Sequence, residues 1–237
     1  ESKVGLLPGG GGTQRLPRLI GIQAALPMLL QGDAVAPKQA LKLGIIHKVV
    51  PAGEIIAEAR RWLLESPDPV QPWDKKNYAV PGGGPYEPGP ASEFFAMAIA
   101  HTRKASNGNY PAQEAILSCV YEGIQVPIDA GLRIETRLTV KLFAHPSAAN
   151  MVRSLFISSG ELAKGARRPK SAPKTDCKKI AVLGAGMMGS GIAYVSAMAG
   201  IEVALLDSSM ENAAKGKAYS ENLLNKAVEK GRTSAAE

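Results

Sequence analysis

The sequence predicts an α/β chain in two unlike parts: a mostly helical stretch over residues 1–160, a basic linker over 161–176, and the opening β-α-β-α of a parallel sheet over 177–237. Three observations predict it. Apolar residues recur on a helical period through most of the first part. A proline-broken basic run, KGARRPKSAPK at 164–174, then interrupts the pattern. After it, CKKIAVLGAGMMGSGIAYVSAMAGIEVALLDSS alternates strand-like run, glycine turn, apolar helix and second strand-like run.

Taken in order, residues 13–19 read as a short helix capped by Thr13 and interrupted by Gly21. Residues 22–31 read as a second helix stopped by Gly32, with a break or kink expected at Pro27. Pro37 opens and Gly44 closes a third, the usual proline-first, glycine-last asymmetry. Residues 45–50 are rich in β-branched side chains and read as a short strand. Residues 54–64 follow a helical period that turns Ile55, Ala59, Trp62 and Leu63 inward. Seven prolines and four glycines between 66 and 92 leave only an irregular excursion. Helices are expected near 93–104, 111–123, 127–144 and 146–157, the third with Ile128, Leu132, Leu138 and Leu142 along one apolar face. In the last part a strand at 178–183, a helix at 187–199, a strand at 202–206 and a helix at 210–230 complete the reading.

Composition narrows the function classes. Hydrophobic residues make up 45% and charged residues 21%, as in ordinary globular chains. No apolar run reaches the roughly 18 residues that span a bilayer, so no membrane span is expected. Two cysteines, Cys119 and Cys177, give no disulfide framework and suit a reducing compartment. The net charge of +7 is concentrated in the basic run, which fits an anionic partner such as a CoA phosphate, a nucleic acid or an acidic lipid. It lacks interleaved aromatics, so nucleic acid is not expected and a solvated linker is the simpler reading. The chain opens on Glu1 rather than Met, as an internal segment of a longer protein would.

The stretch Gly184-Ala185-Gly186-Met187-Met188-Gly189 has the full context that a G-x-G-x-x-G pattern requires. It follows a strand, opens a helix, and precedes a second strand ending on Asp207. Gly184 permits the tight turn, Gly186 lets the backbone approach a diphosphate, and Gly189 lets the helix pack close to the strand. The amides of Met187 and Met188, at the helix N-terminus, face the phosphates with the positive end of the helix dipole. Asp207 accepts from a ribose hydroxyl and repels a 2′-phosphate, which selects NAD over NADP. The remaining strands of such a sheet are not in the sequence, so this is the front of a Rossmann domain.

A second glycine run, residues 9–12, behaves differently. GxxxxGK[ST] demands a lysine, and Thr13-Gln14-Arg15 stands there instead. With Glu1 eight residues ahead of Gly9, GLLPGGGGTQRLPRLIG resembles the enoyl-CoA hydratase (crotonase) signature, and QGDAVAPKQALKLGIIHKVVP is similar to that family's following segment. With GAGMMGSGIA…LLD downstream, the order resembles the bifunctional fatty-acid oxidation enzymes, which fuse that hydratase to an NAD-dependent 3-hydroxyacyl-CoA dehydrogenase.

The resemblance implies the C-terminal part of a crotonase spiral fold followed by the start of the Rossmann domain. It implies an acyl-CoA thioester substrate, a thiolase subunit or a second copy as partner, and a bacterial-type cytoplasmic setting. Two glutamates of that family hold one water against the enoyl thioester; Glu1 matches the one that protonates C2, and Gly9 the glycine whose N–H positions the water. The run therefore cradles water rather than phosphate. The partner glutamate and the thioester's backbone donors belong upstream, and the dehydrogenase's His–Glu pair downstream, so the segment alone is not expected to catalyse either step. His47, His101 and His145 read as surface or packing histidines. Two alternatives stay open: an enoyl-CoA isomerase half, and a non-catalytic module binding NAD and RNA.

Overall fold

A computed structural model describes residues 1–65, 68–172 and 176–229. The first two residues of the proline-rich stretch, Lys174 of the basic run, and Lys230 of the last expected helix lie outside the described residues. The chain divides into two compact units, 1–167 and 168–237. Together they are mostly helical with one small parallel sheet.

In the first unit, α1 (Gly12–Ile20) and α2 (Ile22–Gln31) are separated by Gly21, whose φ of 84° a side chain would strain. The α1 helix starts one residue before Thr13, and Thr13 is not its cap: Gly11 is, at φ 97°. Of the break or kink expected at Pro27, no break occurs: helix α2 continues through it, with Ala25, Leu26 and Leu29 buried around it. Helix α3 (Pro37–Lys42) ends with Ile45 N–H folded back on Ala40 carbonyl (2.9 Å). Residues 45–50 form no strand, since among the described residues none pairs with them in the ladder a strand needs.

Helix α4 (Ile55–Glu65) forms on the expected period, yet none of its residues is buried. Ile55 and Leu63 are 52% and 70% exposed, and Trp62 stacks on His47 at 5.0 Å. Helical periodicity identified the apolar face; among the described residues no element covers it. The proline-rich excursion continues as turns until α5 (Pro90–Ser106), and Tyr78 ties it down by donating its hydroxyl to Arg18 carbonyl.

Helices α6 (Pro111–Ile124) and α7 (Ile128–Phe143) form an antiparallel pair, bridged at the surface by Arg137 and Glu122 (2.7 Å). The core lies between α1, α2, α5 and α6, with Ile22, Leu26, Ile116, Val120 and Cys119 almost wholly buried. Burial pushes the Cys119 thiol up to about 12. The last expected helix of this part is three pieces: α8 (Pro146–Met151), a π-helical turn (Val152–Ser158) and α9 (Ser159–Ala163). His145 caps α8, its Nδ1 accepting from Ser147 N–H.

In the second unit β1 (Lys179–Leu183) and β2 (Glu202–Leu206) pair in parallel, Lys179 opposite Glu202 and Leu183 opposite Leu206. Parallel neighbours need a crossover, and α10 (Met187–Met198) supplies it; α11 (Met210–Glu229) follows. No described helix is long and apolar enough to cross a membrane.

Candidate functional site

The two glycine loops lie in different units, and each is built on its own logic. In the second unit, Gly184 continues the strand pairing by donating to Leu206 carbonyl (2.8 Å) and then turns at φ 98°. A Cβ on Gly189 would stand 1.7 Å from Gly184 carbonyl oxygen, so only glycine lets α10 approach this closely. Around Gly186 nothing lies within 4 Å of the same position, which leaves the loop's outer side open to a ligand. Met187 and Met188 are 88% and 69% exposed, so what they offer at the loop is backbone N–H.

Two further contacts brace this loop. Ala185 N–H donates to Asp207 Oδ2 (2.6 Å), and Ser190 Oγ donates to Ala185 carbonyl (2.7 Å). Gly216 of α11 comes so near that a Cβ there would meet Ala185 Cβ at 2.7 Å. Asp207 Oδ1 accepts from Ser208 N–H (2.7 Å), Ser208 Oγ and Asn212 Nδ2. The Ala185 and Ser208 amides hold the Asp207 carboxyl below its ordinary value of 3.8, so it stays ionised at any pH near neutrality. A hollow of about 270 Å³ opens at the carboxyl ends of the strands, lined by Leu183, Gly184, Leu206, Asp207 and Ser208. Carboxyl strand ends are where open α/β sheets bind ligands.

These residues fit a dinucleotide. Oδ2 of Asp207 spends one acceptor site on Ala185 and has a second that no described residue occupies. The open flank of Gly186 admits a diphosphate beside the α10 N-terminus.

The first loop is already filled by the protein itself. Gly11 N–H donates to Glu135 Oε1 (2.6 Å), and Thr13 donates to Oε2 through both its N–H (3.0 Å) and its hydroxyl (2.5 Å). Glu135 is 1% exposed, on α7. Its carboxylate occupies the anion seat that the α1 N-terminus would offer to a phosphate. Gly9 packs on Thr139, one turn further along α7: a Cβ on Gly9 would lie 2.9 Å from that side chain. Arg15 donates to Gly10 carbonyl (2.6 Å).

Below the loop, α1 buries a polar face. Gln14 Nε2 donates to Cys119 carbonyl (2.8 Å), and the Arg18 guanidinium donates to the carbonyls of Gln14, Gly123 and Val126 and to Gln14 Oε1. Gly123 and Gly131 make room for Gln14, whose amide would stand 2.2 Å and 2.4 Å from a Cβ at either. Glu1 stands at the entrance, its carbonyl accepting from Val4 and Leu6 N–H, its carboxylate exposed and without a partner among the described residues. The adjacent Ser2 is buried against Gly32 and fixes the chain there. No described hydrogen bond joins Glu1 to Gly9.

Sequence reasoning missed Glu135, although a signal was present. It falls on the apolar stripe of α7, between Leu132 and Leu138, and a carboxylate at such a position must find donors. It also missed Gly216 and the Ala185–Asp207 bond, which link residues far apart in sequence.

Residues 1–69 match the family described as enoyl-CoA hydratase/isomerase, and residues 179–237 the family described as 3-hydroxyacyl-CoA dehydrogenase, NAD binding domain. The chain is similar to the fatty acid oxidation complex subunit alpha of Shewanella baltica (strain OS155), at 36% identity over 97% of the chain and 32% of the relative. The protein of the same name from Shewanella putrefaciens (strain CN-32) gives 36% over 97% and 32%. That from Shewanella amazonensis gives 36% over 100% and 33%. The chain thus spans about a third of the length of these relatives.

Proposed function

Because this chain belongs to the fused fatty-acid oxidation enzymes, joining an enoyl-CoA hydratase/isomerase segment to the NAD-binding segment of a 3-hydroxyacyl-CoA dehydrogenase, we propose that its parent performs two consecutive steps of β-oxidation. A trans-2-enoyl-CoA is hydrated to the 3-hydroxyacyl-CoA, which is then oxidised to the 3-ketoacyl-CoA. Residues 1–160 are the C-terminal portion of the crotonase spiral, 161–176 the linker, and 177–237 the first β-α-β-α of the Rossmann domain. The observation that carries the reading is the braced, open-flanked loop at 184–189 with Asp207 at the strand end.

In the hydration step the hydroxyl of water joins C3 and a proton joins C2 of the enoyl thioester. Glu1 delivers the C2 proton, and the Gly9 N–H holds the water; a second glutamate, outside this chain, takes the water's other proton. The family description covers isomerases as well, which move the double bond without adding water. In the oxidation step Gly184, Gly186 and Gly189 shape the diphosphate seat, the Met187 and Met188 amides donate to it, and Asp207 holds the ribose. A nicotinamide dinucleotide held there would supply a hydride acceptor for C3 of the hydroxyacyl group, whose hydroxyl proton would pass to a general base. The tether between the two parts raises the local concentration of the shared intermediate. The substrate is an acyl-CoA thioester, the setting cytoplasmic, and the partner a thiolase subunit or a second copy.

Hydration of crotonyl-CoA by the full-length protein tests the first half. Glu1→Gln is expected to lower kcat by about 10²–10⁴, the usual contribution of a positioned acid. Full activity in that variant would remove Glu1 from the chemistry. Double-bond migration without crotonyl-CoA hydration would favour the isomerase.

A further inference from the structure

Three observations converge on one turn of α7. Glu135 is buried and carries no cationic partner among its hydrogen bonds; all its donors belong to the first glycine loop and the start of α1. Thr139, one turn on, donates its hydroxyl to Glu135 carbonyl (2.8 Å) and lies directly under Gly9. Arg15 fixes the carbonyl of Gly10 (2.6 Å). The loop's amides are thereby sorted. Those of Gly11 and Thr13 are taken by the carboxylate, while those of Gly9 and Gly10 have no acceptor among the described residues.

We propose that Glu135 is a positioning residue for hydration: it locks the glycine loop against α7 so that the Gly9 amide remains free, and fixed in place, for the reacting water. This rests on the reading of Glu1 and Gly9 given above. The choice of a carboxylate follows from the geometry. Two N–H groups and a hydroxyl converge on it, and a carboxylate accepts from all three without offering a donor that clashes with them. Its side chain also faces the positive end of the α1 dipole. A glutamine can accept from one side only, and its NH₂ would face an N–H.

The chemistry gives this fixing a consequence. Addition of water to C3 requires the oxygen to stand close to the reacting carbon and in line with it. A shift of about 1 Å in a positioning group costs up to a hundredfold in rate. Such a shift affects turnover more than substrate binding. The NAD-dependent half of the same molecule supplies an internal control, because it uses a different loop.

The test uses the full-length protein. Glu135→Gln is expected to lower kcat for crotonyl-CoA hydration by about ten- to a hundredfold, with KM within about twofold of the unaltered protein. The NAD-dependent oxidation of 3-hydroxybutyryl-CoA by the same molecules is unchanged. A second pair separates positioning from folding. Thr13→Ser keeps the hydroxyl that meets Glu135 and retains turnover, whereas Thr13→Val loses it. A folded Glu135→Gln protein that hydrates at the original rate would overturn the proposal. So would a loss shared equally by the oxidation step. If Glu135→Gln fails to fold, equal hydration by the Ser and Val variants overturns it instead. Full activity in Glu1→Gln with loss in Glu135→Gln removes Glu1 from the site and leaves the Glu135 assignment standing; the reverse pair removes Glu135 alone.

Discussion

Gly189→Val is expected to abolish measurable NADH binding and to loosen the second unit. A valine Cβ would lie 1.7 Å from Gly184 carbonyl oxygen and 2.8 Å from its carbon, both backbone atoms that cannot rotate aside. Helix α10 must therefore lift off β1. Three things go with it: the Ser190–Ala185 bond, the seat of Ala185 against Gly216, and the aim of the helix N-terminus. The diphosphate then loses several charge-assisted hydrogen bonds together, each worth about 1.5–3 kcal/mol. Affinity should fall by at least roughly a hundredfold. Gly191, two residues further along α10, is the control: nothing lies within 4 Å of a Cβ there, and Gly191→Ala should leave NADH affinity unchanged. Fluorescence titration with NADH on the full-length protein decides both. Tight binding by Gly189→Val would mean that α10 does not pack as described.

Arg18→Met is expected to cost the first unit about 3–5 kcal/mol. Arg18 is 4% exposed and gives its hydrogens to the carbonyls of Gln14, Gly123 and Val126 and to Gln14 Oε1. Methionine fills much of the same volume but offers no donor. The Gly123 and Val126 carbonyls and the Gln14 amide oxygen are left buried or half-buried without this donor, at about 1–3 kcal/mol for each orphaned group. The loss is cooperative, since Gln14 also holds Cys119 carbonyl and is wedged between Gly123 and Gly131. Arg61→Met is the contrast. That arginine meets Glu58 on the exposed face of α4, and its removal should leave stability nearly unchanged. Urea unfolding followed by circular dichroism measures the difference. Equal small losses in the two variants would show that the buried guanidinium is dispensable.

The second unit was legible almost residue by residue. Its strands, turn and helix follow one another within sixty residues, and glycines, apolar runs and the terminal Asp207 mark every boundary locally. Helix positions in the first unit were equally visible, because proline and glycine punctuate them. What the sequence could not disclose there is which faces meet. Residues 45–50 have strand composition but no ladder partner, so they stay irregular. Helix α4 has an apolar period, yet none of its residues is buried, and the ring contact it makes is Trp62 stacked on His47. The same limit hid the purpose of Gln14 and Arg18 in the first signature. Gln14 and Arg18 look like solvent-facing helix residues until their acceptors, 105 and more positions away, are known. Glu135 is likewise invisible as a cap, because its donors precede it by 122 and 124 residues.

Two similar-looking glycine runs do opposite jobs: one is closed to phosphate by the protein's own carboxylate, and the other stays open for a dinucleotide. Titrating the full-length protein with NADH and with NADPH tests it most directly. Saturable NADH binding is expected, with NADPH binding weaker by at least about a hundredfold, because a 2′-phosphate would face the ionised Asp207 at short range. Equal affinity for the two, or no saturable binding of NADH, would contradict it.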